Sequence, residues 1–247
     1  MPTFFVTADA VTPPTIRITD PLLRHLRDSL RLKIGDPLTV TDSEGTRYLA
    51  SIATISAKAL EARIINTSSA PARIAQPLVL ALALLKGEKM DWVIQKATEL
   101  GVERFIPVQS GHSVVKVQAE RVDHQRARWE RIALEAAQQS ERWTVPTIDA
   151  PTELGSIWES AAGTSAIRLM LAERSTGSSL NSLSLPCDPS HTLWLLVGPE
   201  GGWDVDELRL AHKHGWQFVS LGTRILRAET AAIAAVSILQ SRLGELG

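Results

Sequence analysis

The chain has 247 residues, 44% hydrophobic and 21% charged, with a formal net charge of -1. These values fit a soluble globular protein of one large or two smaller domains, and they exclude attraction of nucleic acid by overall charge, so any such contact needs a local basic patch. The single cysteine, Cys187, excludes an internal disulfide and a cysteine metal cluster; the start Met1-Pro2-Thr3-Phe4-Phe5-Val6 lacks a signal-peptide pattern; and the longest apolar run, Leu78–Leu85, is shorter than the ~20 residues of a membrane span, so the expected setting is the cytoplasm, with neither metal nor membrane as partner.

In chain order, Pro21–Leu32 reads as a helix whose apolar face is Leu22, Leu23, Leu26 and Leu30. Its other face would carry Arg24, Arg27 and Arg31 at three- and four-residue spacing, with Lys33 just beyond. Short β-type runs follow at Leu38–Thr41, Tyr48–Ile55 and Leu60–Ile65, with a turn at Asp42-Ser43-Glu44-Gly45. Residues 1 to about 70 are thus a small β-rich module, and Ser68-Ser69-Ala70-Pro71 with Pro77 marks a linker.

After the linker the pattern changes to apolar runs of strand length alternating with amphipathic helices, as in an α/β fold with a parallel sheet. The expected strands are Leu78–Leu85, Phe105–Val108, Ile167–Ala172, Leu193–Val197 and Phe218–Leu221. The expected helices are Glu88–Leu100, Ala119–Ser140, Pro151–Ser160, Val205–His214 and Ala228–Leu243. Met90, Val93, Ile94, Ala97 and Leu100 give the first of these one face, capped by Gly101. The last has almost no polar face, so it must be buried in a core or a subunit interface. Ser175–Ser184 reads as a mobile loop.

Two segments have the form of a ligand site. Leu195-Leu196-Val197 runs into Gly198-Pro199-Glu200-Gly201-Gly202, a buried strand ending in a turn with three glycines. Ligands bind beyond the carboxyl ends of strands in α/β proteins, and glycines there let backbone approach closely. The turn carries no phosphate-binding pattern, and Glu200 would repel a phosphate but accept a sulfonium or ammonium. One strand later, Leu221-Gly222 leads through Thr223, Arg224, Ile225, Leu226 and Arg227 to Ala228-Glu229-Thr230. Ile225 and Leu226 would wall a flat ring while the arginines face an anion; alternatively, Arg227 and Glu229 form an ordinary surface ion pair.

"LLVGPEGGW" followed by "LGTRILRAETAA" resembles the signature of the SPOUT-class RNA methyltransferases of the RsmE type. "LLKGEKMDWVIQKATELGVERFIPV" (Leu84–Val108) and "ALEAAQQSERWTVPTI" (Ala133–Ile148) are similar to the same family, so the likeness runs from Leu78 to the C-terminus. The resemblance implies a PUA-like β-barrel RNA-binding domain over residues 1–72. It implies an α/β, trefoil-knotted methyltransferase domain over 73–247, a homodimer, and methylation of N3 of a uridine in 16S rRNA of the small ribosomal subunit. S-adenosyl-L-methionine would lie among three loops, built from Leu171, Ala172 and Glu173; from Val197 and Gly198–Gly202; and from Leu221, Gly222, Ile225, Leu226, Arg227 and Thr230. Arg227 would hold the uridine or its phosphate and stabilise developing negative charge, and Glu229 would orient Arg227 or assist proton removal. Arg24, Arg27, Arg31, Lys33, Lys86 and Lys89 are the expected RNA contacts, with a solvated helix face as the alternative for the first group. The chain departs from the family pattern at Thr3 (usually arginine), at Gly111 and His112 (usually Glu-Arg), and at Gln138 and Glu141 (usually Glu and Gly). An RNA-binding protein without activity and a nucleotide-binding α/β protein are the competing readings; the intact glycine loops oppose the first, and the absent phosphate motifs and Glu200 oppose the second.

Overall fold

The computed structural model describes residues 3–72, 75–116, 119–163, 165–172, 178–186 and 188–246. Two compact units are present, one of residues 1–72 with 137–145 and the other of 73–136 with 146–247.

The first unit is a six-stranded sheet in the order β1-β4-β5-β6-β3-β2, from β1 (Thr3–Phe5), β2 (Val11–Thr12), β3 (Thr15–Ile18), β4 (Pro37–Thr41), β5 (Thr46–Ile55) and β6 (Leu60–Ser69). Alternation places Ile16, Ile18, Leu38, Val40, Ala50, Ile52, Leu60 and Ala62 in one buried core. The expected helix over 21–32 is much reduced. Only α1 (Leu22–Arg24) is α-helical, and His25–Ser29 winds wider, with the Leu30 N–H donating to the His25 carbonyl at 3.0 Å. Leu23 and Leu26 fill the core, whereas the wider winding turns Leu30 outward, leaving it 42% exposed. Arg31 falls past the end with φ +54, so it does not continue a helical face with Arg24 and Arg27. Within this unit Arg47 lies 3.9 Å from the Trp143 ring centroid and donates to the Glu141 and Arg142 carbonyls. Glu141 has φ +52, a conformation that glycine adopts without strain.

The second unit is built on a parallel sheet in the order β10-β8-β7-β13-β11-β14-β12, with β9 also on β8. Its strands are β7 (Leu78–Ala83), β8 (Arg104–Gln109), β9 (Thr147–Ile148), β10 (Thr152–Glu153), β11 (Ala166–Leu171), β12 (Ser178–Ser179), β13 (Thr192–Val197) and β14 (Gln217–Ser220). Its helices are α2 (Lys89–Glu99), α3 (Val122–Gln139), α4 (Leu154–Ser160), α5 (Val205–Lys213) and α6 (Ala228–Arg242), with the last turn of α3 counted in the first unit. Both sheet faces are covered. Leu78, Leu80, Leu82, Leu195 and Val197 face α2, α3 and α6, while Val79, Ala81, Ile106, Trp194 and Leu196 face α4 and α5. That is why the strands read as continuous apolar runs rather than alternating ones.

Helix α6 packs on α2, and none of residues 231–240 is exposed. Gln240 reaches from α6 to donate to the Leu100 carbonyl at 2.7 Å, capping α2, and Gly101 follows with φ +94. Two expectations are corrected. Thr152 and Glu153 extend β10 beside Val108 and Gln109, so the helix expected from Pro151 begins at Leu154. Of the serine-rich segment, residues 175–177 lie outside the described residues, but Ser178–Ser179 pair with β14 and Leu180 is fully buried. Arg242 donates to the Leu180 and Leu183 carbonyls, which ties this segment to α6 instead of leaving it a mobile loop.

Candidate functional site

β13, β11 and β14 are adjacent and parallel, so their carboxyl ends share one edge of the sheet. Three loops leave that edge side by side: after Leu171, after Val197 and after Ser220. The chain does not visit these strands in spatial order, since β11 lies between β13 and β14 but precedes both. Ala228 and Ala231 of α6 supply small side chains beneath the loops.

A cavity of 450 Å³ opens there, walled by Leu171, Ala172, Val197 and the turn Gly198–Gly202, with Trp203, Leu208, Ala228 and Ala231 completing it. A smaller one of 40 Å³ shares Leu171, Ala172 and Ala231 and adds Leu221, Gly222, Arg224 and Leu226. Sequence reasoning missed Trp203, Leu208 and the α6 alanines as lining residues; a tryptophan directly after the glycine turn was the available signal.

Trp203 is the joint between two loops. Its indole N–H donates to the Leu171 carbonyl at 2.8 Å. Its ring lies against Gly198, where a β-carbon would come within 2.9 Å of Cε2. Gly201 packs on His112, with a β-carbon there falling 3.0 Å from the His112 Cβ. The Gly111 N–H donates to Glu207 at 2.8 Å, and the same carboxylate joins the Asp204 capping box that starts α5. The glycines are therefore required by close approaches as well as by backbone shape.

The polar wall centres on Lys89 at the start of α2. Its Nζ lies 2.8 Å from Glu200 and 3.3 Å from Glu229. The Glu200 side chain is 27% exposed. Burial opposes its ionisation, but the Lys89 ammonium and main-chain donors, including that of Lys86, outweigh it and hold the carboxyl below its ordinary value. Lys89 is raised above its ordinary value, chiefly by its hydrogen bond to Glu200, against a burial penalty and with Glu229 adding.

Glu173 lies outside the described residues. Ile225 is 65% exposed and lines neither cavity, while Leu226 lines the smaller one. Thr230 is exposed in the first turn of α6. Arg227, the residue before α6, is exposed, and among the described residues no hydrogen bond or ion pair engages its side chain. Glu229 pairs with Lys89, not with Arg227. Of the basic residues, Lys89 is engaged inside the site, Arg24 pairs with Asp20 at 3.2 Å, and Arg27 is bidentate on Asp28. Arg31, Lys33 and Lys86 are exposed.

Glycine-flanked main chain and a carboxylate, with apolar walls, suit a ligand having a flat ring system and a cationic end. Comparison with known proteins agrees. Residues 72–240 match the RNA methyltransferase domain family, and residues 18–65 match the RNA methyltransferase PUA domain family. Ribosomal RNA small subunit methyltransferase E of Synechocystis sp. is 33% identical over 96% of this chain and 77% of its own length. That of Bacillus subtilis is 30% identical over 92% and 90%. Ribosomal RNA small subunit methyltransferase E from Neisseria gonorrhoeae, crystallised bound to S-adenosyl methionine, superposes with a TM-score of 0.87 at 29% identity over 98% of both chains. A Legionella pneumophila methyltransferase in complex with SAM gives 0.86 at 28% over 97% of both.

Proposed function

Since this chain belongs to the RNA methyltransferase family, with a methyltransferase domain behind a PUA domain, we propose that it is of the SPOUT type and methylates N3 of a specific uridine in 16S rRNA of the small ribosomal subunit, using S-adenosyl-L-methionine. The observation that carries this reading is a set of three adjacent strand-end loops: those after Leu171 and Val197 wall the larger cavity with glycine main chain and Glu200, and the one after Ser220 walls the smaller cavity that shares Leu171, Ala172 and Ala231 with it. The donor set fits the cofactor: main chain left open by glycines for a flat base, leucines against its faces, and a carboxylate for its cationic end.

The bound cofactor would supply a methyl group activated as a sulfonium. The protein's part is to orient the acceptor and stabilise charge. Arg227, exposed just before α6 and without a partner among the described residues, holds the uridine or its phosphate and steadies the negative charge that forms as N3 loses its proton. Glu229, two residues on in the first turn of α6, stands as a local acceptor or as an orienting group through Lys89. Residues 1–72 act as the RNA-holding module and 73–247 as the knotted catalytic domain, working as a cytoplasmic homodimer. The exposed cations Arg31, Lys33 and Lys86, with Arg24 and Arg27, contact phosphate.

The test is to map methylated nucleotides in ribosomal RNA from cells with and without this protein, and to restore the missing mark with purified protein and labelled S-adenosylmethionine. Loss and restoration of one N3-methyluridine is the expected result; an unchanged map with methyl transfer to another base or to ribose would overturn the assignment.

A further inference from the structure

Lys89 sits where a phosphate contact was expected, but its environment is that of an internal tie. Its ammonium is shared between a carboxylate on the glycine loop and one on the first turn of α6, so three segments distant in sequence meet on one nitrogen. Glu229 makes the tie more than incidental. Its Oε2 is buried, and no hydrogen bond of good geometry reaches it among the described residues, so the charge of Lys89 at 3.3 Å is its compensation. A lysine whose ammonium lies between two carboxylates in this way is poorly available for RNA phosphate.

We infer that Lys89 is a positioning residue of the methyl-donor site: through its bridge to Glu200 and Glu229 it anchors the glycine loop to α6 and presents the Glu200 carboxylate to the cationic end of the donor. This rests on the methyl-donor reading above. Two carboxylates on one ammonium leave the wall with a single net negative charge, enough to attract a cation. Without Lys89 only the main-chain donors would oppose the burial of Glu200, and the carboxyl would take up a proton at higher pH. The charged groups around Glu200 are few. Lys89 faces it directly, with Glu229 across the ammonium, and the Lys86 main chain donates to it. Asp204 and Glu207, next along the loop, are engaged with the α5 cap, Gly111 and His112. Arg224 and Arg227 lie on the loop before α6.

The sign follows from which form binds. A cationic donor favours ionised Glu200, so affinity is lost as pH falls through the Glu200 pKa. Raising that pKa moves the loss to higher pH. Calorimetric titration of S-adenosylmethionine from about pH 5 to 9 tests it, since one linked proton changes affinity by up to about tenfold per pH unit. Wild type should vary little over the upper part of the range. Lys89→Met should weaken binding and move the acid-side loss upward, Lys89→Arg should restore the wild-type profile, and Lys89→Met with Glu200→Gln should lose the shift. Glu229→Gln, a second route that keeps Lys89 on Glu200, should weaken binding without moving the profile. A Lys89→Met profile superimposable on wild type, or a shift that persists without the Glu200 carboxyl, overturns the inference alone. So does a Lys89→Met variant that binds the donor normally but shows a smaller salt dependence of RNA binding, which would return Lys89 to the phosphate surface. A wild-type protein that binds no donor at any pH overturns the methyl-donor reading and this inference with it.

Discussion

Replacing Trp203 with phenylalanine isolates one bond between two cofactor loops. Phenylalanine keeps a ring against Gly198 but removes the N–H that reaches the Leu171 carbonyl at 2.8 Å. Leu171 is buried, so an acceptor that loses its partner there costs about 1–3 kcal/mol. The loops can escape that cost by separating, and the donor must then bring them together again. With each ~1.4 kcal/mol worth a factor of ten, the affinity for S-adenosylmethionine should fall about 5- to 140-fold. The melting temperature of the second unit should fall by about 2–12 °C, at 2–4 °C per kcal/mol for a domain of this size. Calorimetry and thermal melts measure the two effects, and Trp92→Phe, at a half-exposed tryptophan on α2, serves as the control. Affinity within twofold of wild type together with an unchanged melt would refute the claim that this hydrogen bond couples the loops.

Gly198→Ala should act on the same joint from the other side, because its β-carbon meets the indole at 2.9 Å and must displace it; donor affinity should drop at least about tenfold by the same energy scale, with an altered near-ultraviolet tryptophan signal. Arg227→Ala should leave the melt unchanged, since no described side chain partners it, yet lower methyl transfer about 100-fold or more in a tritium-incorporation assay; intact transfer would remove its assigned role. Gly101→Ala combines a positive φ with a β-carbon 2.3 Å from the Gln240 amide, so it should cost about 2–4 kcal/mol and be read as a lower melting temperature with normal donor binding by the folded fraction. In RNA binding, Arg31→Ala should reduce the slope of log affinity against log salt by about one, more than Arg27→Ala, whose guanidinium is already bidentate on Asp28; equal slopes would count against a phosphate patch at this corner.

The parallel strands of the second unit were legible because their burial on both faces leaves an unbroken apolar run, as in Leu78–Ala83, where all six residues are buried. The glycine turns were legible because a close approach needs glycine regardless of what approaches. What approaches was not: that Trp203 bonds Leu171, or that Lys89 bridges Glu200 and Glu229, depends on strands brought together from distant parts of the chain. Lys89 therefore read as one more cation. The first unit was harder because its strands are short, and Thr3–Phe5 and Thr15–Ile18 carry too few alternations to stand out. The helix over 21–32 misled for a related reason, since Leu22, Leu23, Leu26 and Leu30 satisfy the spacing while Leu23 and Leu26 are fully buried, Leu22 packs on the core only in part and Leu30 is exposed.

The order of strands in the parallel sheet also bears on biosynthesis. β7 is flanked by β8 on one side and β13 on the other, and β13 emerges roughly 110 residues after it. At about 5–20 residues per second, a ribosome would leave one apolar flank of β7 without its neighbour for some 5–20 s. The ligand pocket comes later still, because it needs Ala228 and Ala231 of α6, roughly 30 residues beyond β13. Nascent chains of this protein should therefore be natural clients for holding chaperones until α6 is released.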